Sequence, residues 1–430
     1  MVSSQPNGTN ERDHFIPARK IDVLNAVIAD GALASEPDRE QFRQLARLLG
    51  AIYHHEYYDQ LERLRNDYFY FSPDLDSSER FDPAIVERAY RDMIDALTKV
   101  LHGANFVEVP HAEIERAHRE HGIVRINIKA PLDDYREVRF FRRGQSKEKI
   151  EISEWLGFRK RTVEFDVYDD VVLLVTMKNA DAVAAKGKSK RRKPKVRPGA
   201  VLLKYFRDIA SADLNALFPD VRVVMGLRDQ LMLGVPALIG GIPILLKLAS
   251  TVTVLFLVAS FYLGLSSSVR DDDMAGALAA VGGLVALGGF MVSQWVRFQR
   301  QSLMHQKTLS DNVYYRNVNN NAGIFDYIIG EAEEQECKEA FLAYYFLLAG
   351  GAPSEDALDQ RVEAWLKKTL VSNIDFECDD ALAKLDRLGL LKREGTRLSV
   401  VPLGEALVRL DRIWDNFFPF DGAKADAAVR

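Results

Sequence analysis

The chain has 430 residues, 47% of them apolar and 28% charged, which leaves room for more than one domain and excludes both a disordered and a polytopic protein. Fifty-seven Lys and Arg against 62 Asp and Glu give a net charge of −5, which excludes a globally basic nucleic-acid binder. The only cysteines, Cys337 and Cys378, exclude a disulfide framework and suit a reducing compartment.

From Glu36 to Phe71, the residues Phe42, Leu45, Leu49, Tyr53, Tyr57, Leu61, Leu64 and Tyr68 recur at steps of three or four, as on one face of a long amphipathic helix. A second helix is expected at Asp82–Leu101, with Ile85, Tyr90, Ile94 and Leu97 packed against the first. His54, His55, Glu56 and Asp59 raise a metal reading, because His55 and Asp59 share a helix face. The zinc-protease pattern needs a second His where Asp59 stands, so no metal site is assigned. No cofactor and no catalytic residue is expected.

After Asn105 the apolar period falls to two. Strands are expected at Val124–Ile128, Arg136–Phe141, Thr162–Val167, Val171–Met177, Val201–Phe206 and Val221–Met225, with a short helix at Ala212–Leu217. Helices first and then a mostly antiparallel sheet make an α+β pattern. A linker interrupts the sheet: Lys186–Arg197 (KGKSKRRKPKVR) has eight basic residues in twelve and no acid. Its Lys186, Lys188, Lys190, Arg191, Arg192, Lys193, Lys195 and Arg197 are expected to bind anionic lipid headgroups, the alternative being a solvated loop. No aromatics interleave the run, so base stacking is not expected.

Leu231–Leu265 is 35 residues with one charge, Lys247, and Met274–Val296 is 23 residues with none. Each exceeds the roughly 20 apolar residues a helix needs to cross a bilayer. Only Ser266–Asp273 separates them, so the pattern predicts a two-helix transmembrane hairpin with spans at 242–265 and 274–296. The flanking Arg222, Arg228, Arg297, Arg300 and Lys307, against a lone Arg270 in the turn, put both termini in the cytoplasm. Small residues four apart (Ala275, Ala279 and Gly283; Gly289 and Ser293) let helix backbones approach closely, which suits packing of the second span against the first span or against another subunit in a homo-oligomer. The N-terminal residues show neither an apolar signal region nor an Arg-rich presequence. A multi-pass membrane protein is expected.

Four asparagines within Asn317–Asn321, followed by Gly323, predict a turn. Helices are then expected at Ala332–Leu348, Glu355–Leu370 and Asp375–Leu388, a hairpin at Leu390–Arg393 with Arg397–Val401, and a closing helix at Gly404–Phe417. That order is winged-helix-like. Its third helix carries Asp375, Glu377, Asp379, Asp380 and Asp386 against Lys384 and Arg387, which repels phosphate, so a protein partner is expected and DNA is not. The domain plan is 1–104 helical, 105–230 the sheet domain, 231–296 the hairpin, 297–331 a connector, 332–418 winged-helix-like and 419–430 a tail.

The segments HFIPARKIDVL, VLLKYFRDIASADLNALFPDVRVVMGLRDQLMLG and YYRNVNNNAGIFDYIIGEAEEQECKEAFLAYYFLL resemble the DUF3754 family, which includes transmembrane protein 143. The resemblance runs from His14 to Trp414 and is most specific over Lys204–Asp229. It implies a two-span protein, bacterial or organellar, with no established activity and no functional residue to carry over. Animal members are placed in mitochondria, so the resemblance, with the missing presequence, implies a bacterial inner membrane, or the mitochondrial inner membrane in a eukaryote. Lys204, Arg207, Asp208 and Asp213, with Asn317, Asn320 and Asn321, border the expected spans and form a candidate polar cluster.

Three functions compete. The leading one is a membrane-anchored adaptor whose cytoplasmic domains dock a protein partner or anionic lipid. The second is an oligomeric pore or transporter component, and the third a membrane-bound metal-dependent enzyme using His54, His55, Glu56 and Asp59.

Overall fold

A computed structural model describes residues 13–76, 81–110, 112, 114, 127–129, 134–154, 159–179, 196–219, 221–224, isolated positions between 256 and 304, 314–370 and 374–418. The chain divides into two compact units: Met1–Glu113, Leu132–Ser211 and Arg316–Arg430 form the first, and Ile114–Pro131 with Ala212–Tyr315 the second.

The first unit opens with helices α1 (Lys20–Ala29), α2 (Glu36–Tyr68) and α3 (Pro83–Gly103). The Ser35 side chain accepts from Asp38 N and so caps α2, while Asp82 does the same for α3 ahead of Pro83. The step of three and four read along α2 is the buried stripe: Phe42, Leu45, Leu49, Tyr53, Tyr57, Leu64 and Tyr68 are all buried. On α3, Tyr90 and Leu97 are buried as expected, whereas Ile85 is 51% exposed.

A five-stranded antiparallel sheet follows, in the order β1 (Val107–Glu108), β3 (Tyr135–Glu154), β4 (Arg159–Met177), β5 (Val201–Ala210) and β7 (Asn317–Asn320). The two strands expected at 162–177 are one. Tyr168, Asp169 and Asp170 look like a break in sequence, yet β4 runs through them, because Asp170 is buried against arginines. Val171–Met177 is buried throughout, as suits a central strand covered on both faces. The asparagine run is mostly strand rather than turn. Asn317, Asn319 and Asn320 pair with β5, and only Asn321, at φ 52°, leaves the strand.

Helix α4 (Gly323–Leu348) is the axis of the unit and packs on α1, α2, α3, α5 and α6. From Cys337 to Leu347 every residue is buried, as expected of a helix apolar all round. Phe42 of α2 meets Phe341, Tyr344 and Tyr345 edge-on or tilted, with ring centres 5.9–6.4 Å apart. Then come α5 (Glu355–Leu370), α6 (Cys378–Arg387), the hairpin β8 (Leu391–Glu394) and β9 (Arg397–Val400), and α7 (Leu403–Asp415). These C-terminal elements lie in the same compact unit as α2, and α7 packs on α2.

The second unit contains the antiparallel pair β2 (Asn127–Lys129) and β6 (Arg222–Val224), and most of a 3-10 helix, Ser211–Leu217, with Leu214, Leu217 and Phe218 buried.

Among the described residues, no helix is long and apolar enough to cross a membrane. This corrects the expected transmembrane hairpin. A crossing needs roughly 20 consecutive apolar helical residues. The long described helices α2 and α4 carry many charged residues, and the described positions of the two apolar stretches are scattered ones such as Phe256, Val285, Val292 and Val296. The rest of 242–265 and 274–296 lies outside the described residues. The integral membrane protein, its multi-pass placement in a bacterial or mitochondrial inner membrane and its cytoplasmic termini lose their support together.

Candidate functional site

Before α1, residues 13–19 run extended along α4 and are held almost entirely by side chains from elsewhere. Asp13 forms a parallel bridge with Ile374, and Asp375 N donates to the Asp13 carbonyl at 3.0 Å. His14 Nδ1 donates to the Asp375 carbonyl at 2.9 Å and lies 3.7 Å from the Glu377 carboxylate. Asn105 Nδ2 donates to the His14 carbonyl at 3.0 Å. Asn105 ends the turn after α3 with φ 60°, a left-handed conformation that asparagine tolerates.

Two residues of α4 read the next positions through the main chain. Ile16 N donates to Gln335 Oε1 at 3.3 Å, and Gln335 Nε2 donates to the Ile16 carbonyl at 3.2 Å. Lys338 Nζ donates to the carbonyls of Ile16 at 2.8 Å and Ala18 at 2.9 Å. Gln335 is 1% and Lys338 2% exposed, so these bonds are made away from water. Burial pushes the Lys338 ammonium down to about 8, with Glu334 acting the other way. The Ile16 side chain is fully buried, while Pro17 and Arg19 face solvent.

Phe15 covers Arg143, the most completely enclosed charge of the site at 1% exposure. Its Nε donates to Asp170 at 2.8 Å, Nη1 to the Ala104 carbonyl at 3.1 Å, and Nη2 to both Tyr205 and Glu331. Burial works against its charge, but Tyr205, Asp170 and Glu331 outweigh burial and keep the guanidinium protonated. Arg207 shares Asp170 at 3.3 Å and bonds Tyr327. Asp169 lies beside this cluster; burial raises its carboxyl, and Asp170, Asp13 and Asp208 add to the rise.

A third buried cation, after Arg143 and Lys338, also packs on α4. Lys384 of α6 pairs with Glu336, Glu339 and Asp380. Burial pulls its pKa down, yet those carboxylates raise it well above the ordinary value. The helix that would read DNA in a winged helix therefore spends its central lysine on α4.

The sequence-derived residues separate. Arg207 belongs to the Arg143 cluster, and Asp208, exposed at φ 53°, accepts a bond from Arg316 through its carbonyl. Lys204 pairs in register with Asn320. Asn317 and Asn320 bond each other through reciprocal side-chain amides at 3.0 and 2.7 Å, and Leu203 N donates to Asn321 Oδ1. The asparagines are thus structural, fastening β7 to β5. Asp213 stands in the first turn of the 3-10 helix and belongs to the second unit. Of the lipid-binding set, Lys186, Lys188, Lys190, Arg191, Arg192, Lys193 and Lys195 lie outside the described residues. Arg197 donates to the carbonyls of Tyr70 and Ser72, clamping the end of α2.

The residues of the metal reading, to which the sequence assigned no site, are engaged elsewhere. His54 pairs with Glu333, Glu56 with Arg387, and the His55 ring lies 4.3 Å from Phe417 and 4.9 Å from Phe418. Among the described residues no group of three or more His, Cys, Asp or Glu could hold a metal ion. The metal-dependent enzyme, the pore and the membrane-anchored adaptor all fall with the hairpin on which they were built.

The residues that do converge, Asn105, Arg143, Asp170, Gln335 and Lys338, were not singled out in sequence. One signal was available: Glu331, Gln335 and Lys338 stand at i, i+4 and i+7, a polar stripe entering an otherwise apolar helix. Chemically the site offers amide and ammonium donors to main-chain carbonyls, an amide acceptor to a main-chain N–H, and a guanidinium face to a ring. No solved structure matches the chain. A family model matches residues 168–323, which span the end of β4, β5, β7 and the start of α4 and include Asp170, Tyr205 and Arg207. That match is narrower than the resemblance from His14 to Trp414 and does not reach the finer likeness to transmembrane protein 143. Residues 168–323 match the model of the family described as Protein of unknown function (DUF3754).

Proposed function

We propose that the chain is a protein-interaction module whose seam along α4 holds an extended polypeptide segment by its main chain. The observation that supports this reading is the reciprocal pair of bonds between the Gln335 amide and the N–H and carbonyl of Ile16. A side-chain amide used in this way imitates the neighbouring strand of a sheet. Main-chain bonds of that kind give peptide-binding proteins their affinity, and side-chain pockets give them selectivity. Residues 13–18 of the same chain occupy the seam, so a partner's segment would enter by displacing them.

The test uses the full-length chain carrying Ile16→Asp, which places a charge in the buried Ile16 pocket and vacates the seat. A labelled peptide of residues 12–20 (RDHFIPARK) is titrated against this variant and the parent by fluorescence polarisation. Saturable binding to the variant, and much weaker binding to the parent, is expected. A flat titration in both would remove the reading.

A further inference from the structure

We infer that the seat selects an aromatic side chain, and that Arg143 imposes the choice. The inference rests on the segment-holding reading above and specifies its ligand. The Arg143 guanidinium carbon lies 4.3 Å from the Phe15 ring centre and 4.7 Å from the Phe106 ring centre. A planar cation is thus enclosed by two rings. Phe106, 2% exposed, follows directly on the turn after α3 and belongs to the core. Phe15 belongs to the segment that the seat holds.

The edge of the guanidinium is already engaged. Asp170, Ala104, Tyr205 and Glu331 take its N–H groups, so it presents an incoming residue chiefly with a face. A guanidinium face is weakly hydrated and pairs well with the negative face of a ring, more strongly when water is excluded. A carboxylate arriving here would find its natural N–H partners already taken. An aliphatic side chain would fill the space without supplying a ring quadrupole. The Lys338 ammonium, 5.9 Å from the same ring centre, adds a second cation beside it.

The next position is fixed by different means. Ile16 needs an apolar side chain for full burial and a free N–H for Gln335, which excludes proline there. Pro17 is exposed and offers the seat no N–H bond, so that position is permissive. The ligand class is therefore an extended segment in which an aromatic residue directly precedes a buried aliphatic one.

A peptide series tests this without touching Arg143, whose loss could unfold the chain. The 12–20 peptide is compared with versions carrying Leu, cyclohexylalanine or pentafluorophenylalanine at the Phe15 position, each titrated against the full-length Ile16→Asp variant. Each is expected to bind roughly tenfold more weakly than the parent peptide, the size of a desolvated cation–π contact. Equal affinities across the series would overturn the aromatic selection and leave the segment-holding reading standing. Failure of every peptide, the parent included, would overturn both. An independent measurement needs no vacated seat: hydrogen exchange of the Ile16 amide in full-length Phe15→Leu and Phe15→Tyr chains. About tenfold faster exchange in the Leu chain, with the Tyr chain like the parent, is expected; equal rates in the two would overturn the inference.

Discussion

Gln335 spends both ends of its side-chain amide on Ile16, a residue 319 positions earlier in the chain. Replacing Gln335 by Leu removes two bonds and leaves the Ile16 N–H without its acceptor. Each such bond contributes about 0.5–1.5 kcal/mol, so the loss should be roughly 1–3 kcal/mol, concentrated in the segment that Gln335 holds. Limited trypsin digestion should then cut after Arg19 faster in Gln335→Leu than in the parent. An unchanged cutting rate would mean that the segment is held by other groups.

Arg143 joins β3 to β4, β5, α4, the end of α3 and the extended segment. Substituting Met keeps the aliphatic stem but removes the guanidinium, leaving the Glu331 carboxylate without it and the buried Asp170 with only the half-exposed Arg207. Breaking a buried pair from one side costs about 3–5 kcal/mol. Urea unfolding of Arg143→Met should show a loss of that size. Adding Asp170→Asn should recover part of it, because the buried carboxylate that lost its closer cation is then neutral.

The third prediction concerns pH. Burial holds the Lys338 pKa near 8 in the folded chain, against an ordinary value of 10.5. Between those values the unfolded chain binds more protons at this residue, so its contribution to stability rises as pH rises through that window. Lys338→Met abolishes the titration. Guanidinium midpoints at pH 7.5, 8.5 and 9.5 should therefore show the parent gaining on the variant with each step. Comparing the two chains cancels the buried tyrosines, whose raised pKa values act in the opposite direction. Parallel midpoints would contradict the placement of Lys338.

Gly144 gives a fourth. It lies within β3 at φ +64°, and a Cβ there would come within 2.3 Å of the Asp169 carboxylate. Gly144→Ala combines a left-handed backbone with that collision, at a cost of about 1–3 kcal/mol. Thermal unfolding should register that cost as a lower midpoint, and an unchanged midpoint would contradict the placement of Gly144 against Asp169.

What could be read in advance followed periodicity. The stripe on α2 and the bounds of Glu355–Leu370 came from regular steps, and both reflect burial against one neighbour. Helix α1 carries Val23, Leu24, Val27 and Ile28 on one face and was within reach of the same reasoning. The seam was not, because its polar residues come from four separate places, the turn after α3, β3, β4 and α4, and nothing in the spacing of Asn105, Arg143 and Asp170 connects them. The apolar stretches after Leu231 show the opposite error. Hydropathy alone suggested a crossing, and among the described residues no continuous helix supplies one.

The bond from His14 to the Asp375 carbonyl spans 361 positions. At ribosomal speeds of about 5–20 residues per second, roughly 20–70 s separate the emergence of these two residues from the exit tunnel. Over that interval Phe15 and Ile16 have no seat and remain available to chaperones. The closure of this unit is therefore a long-range step: Ile16 waits for a residue of α4 made 319 positions after it.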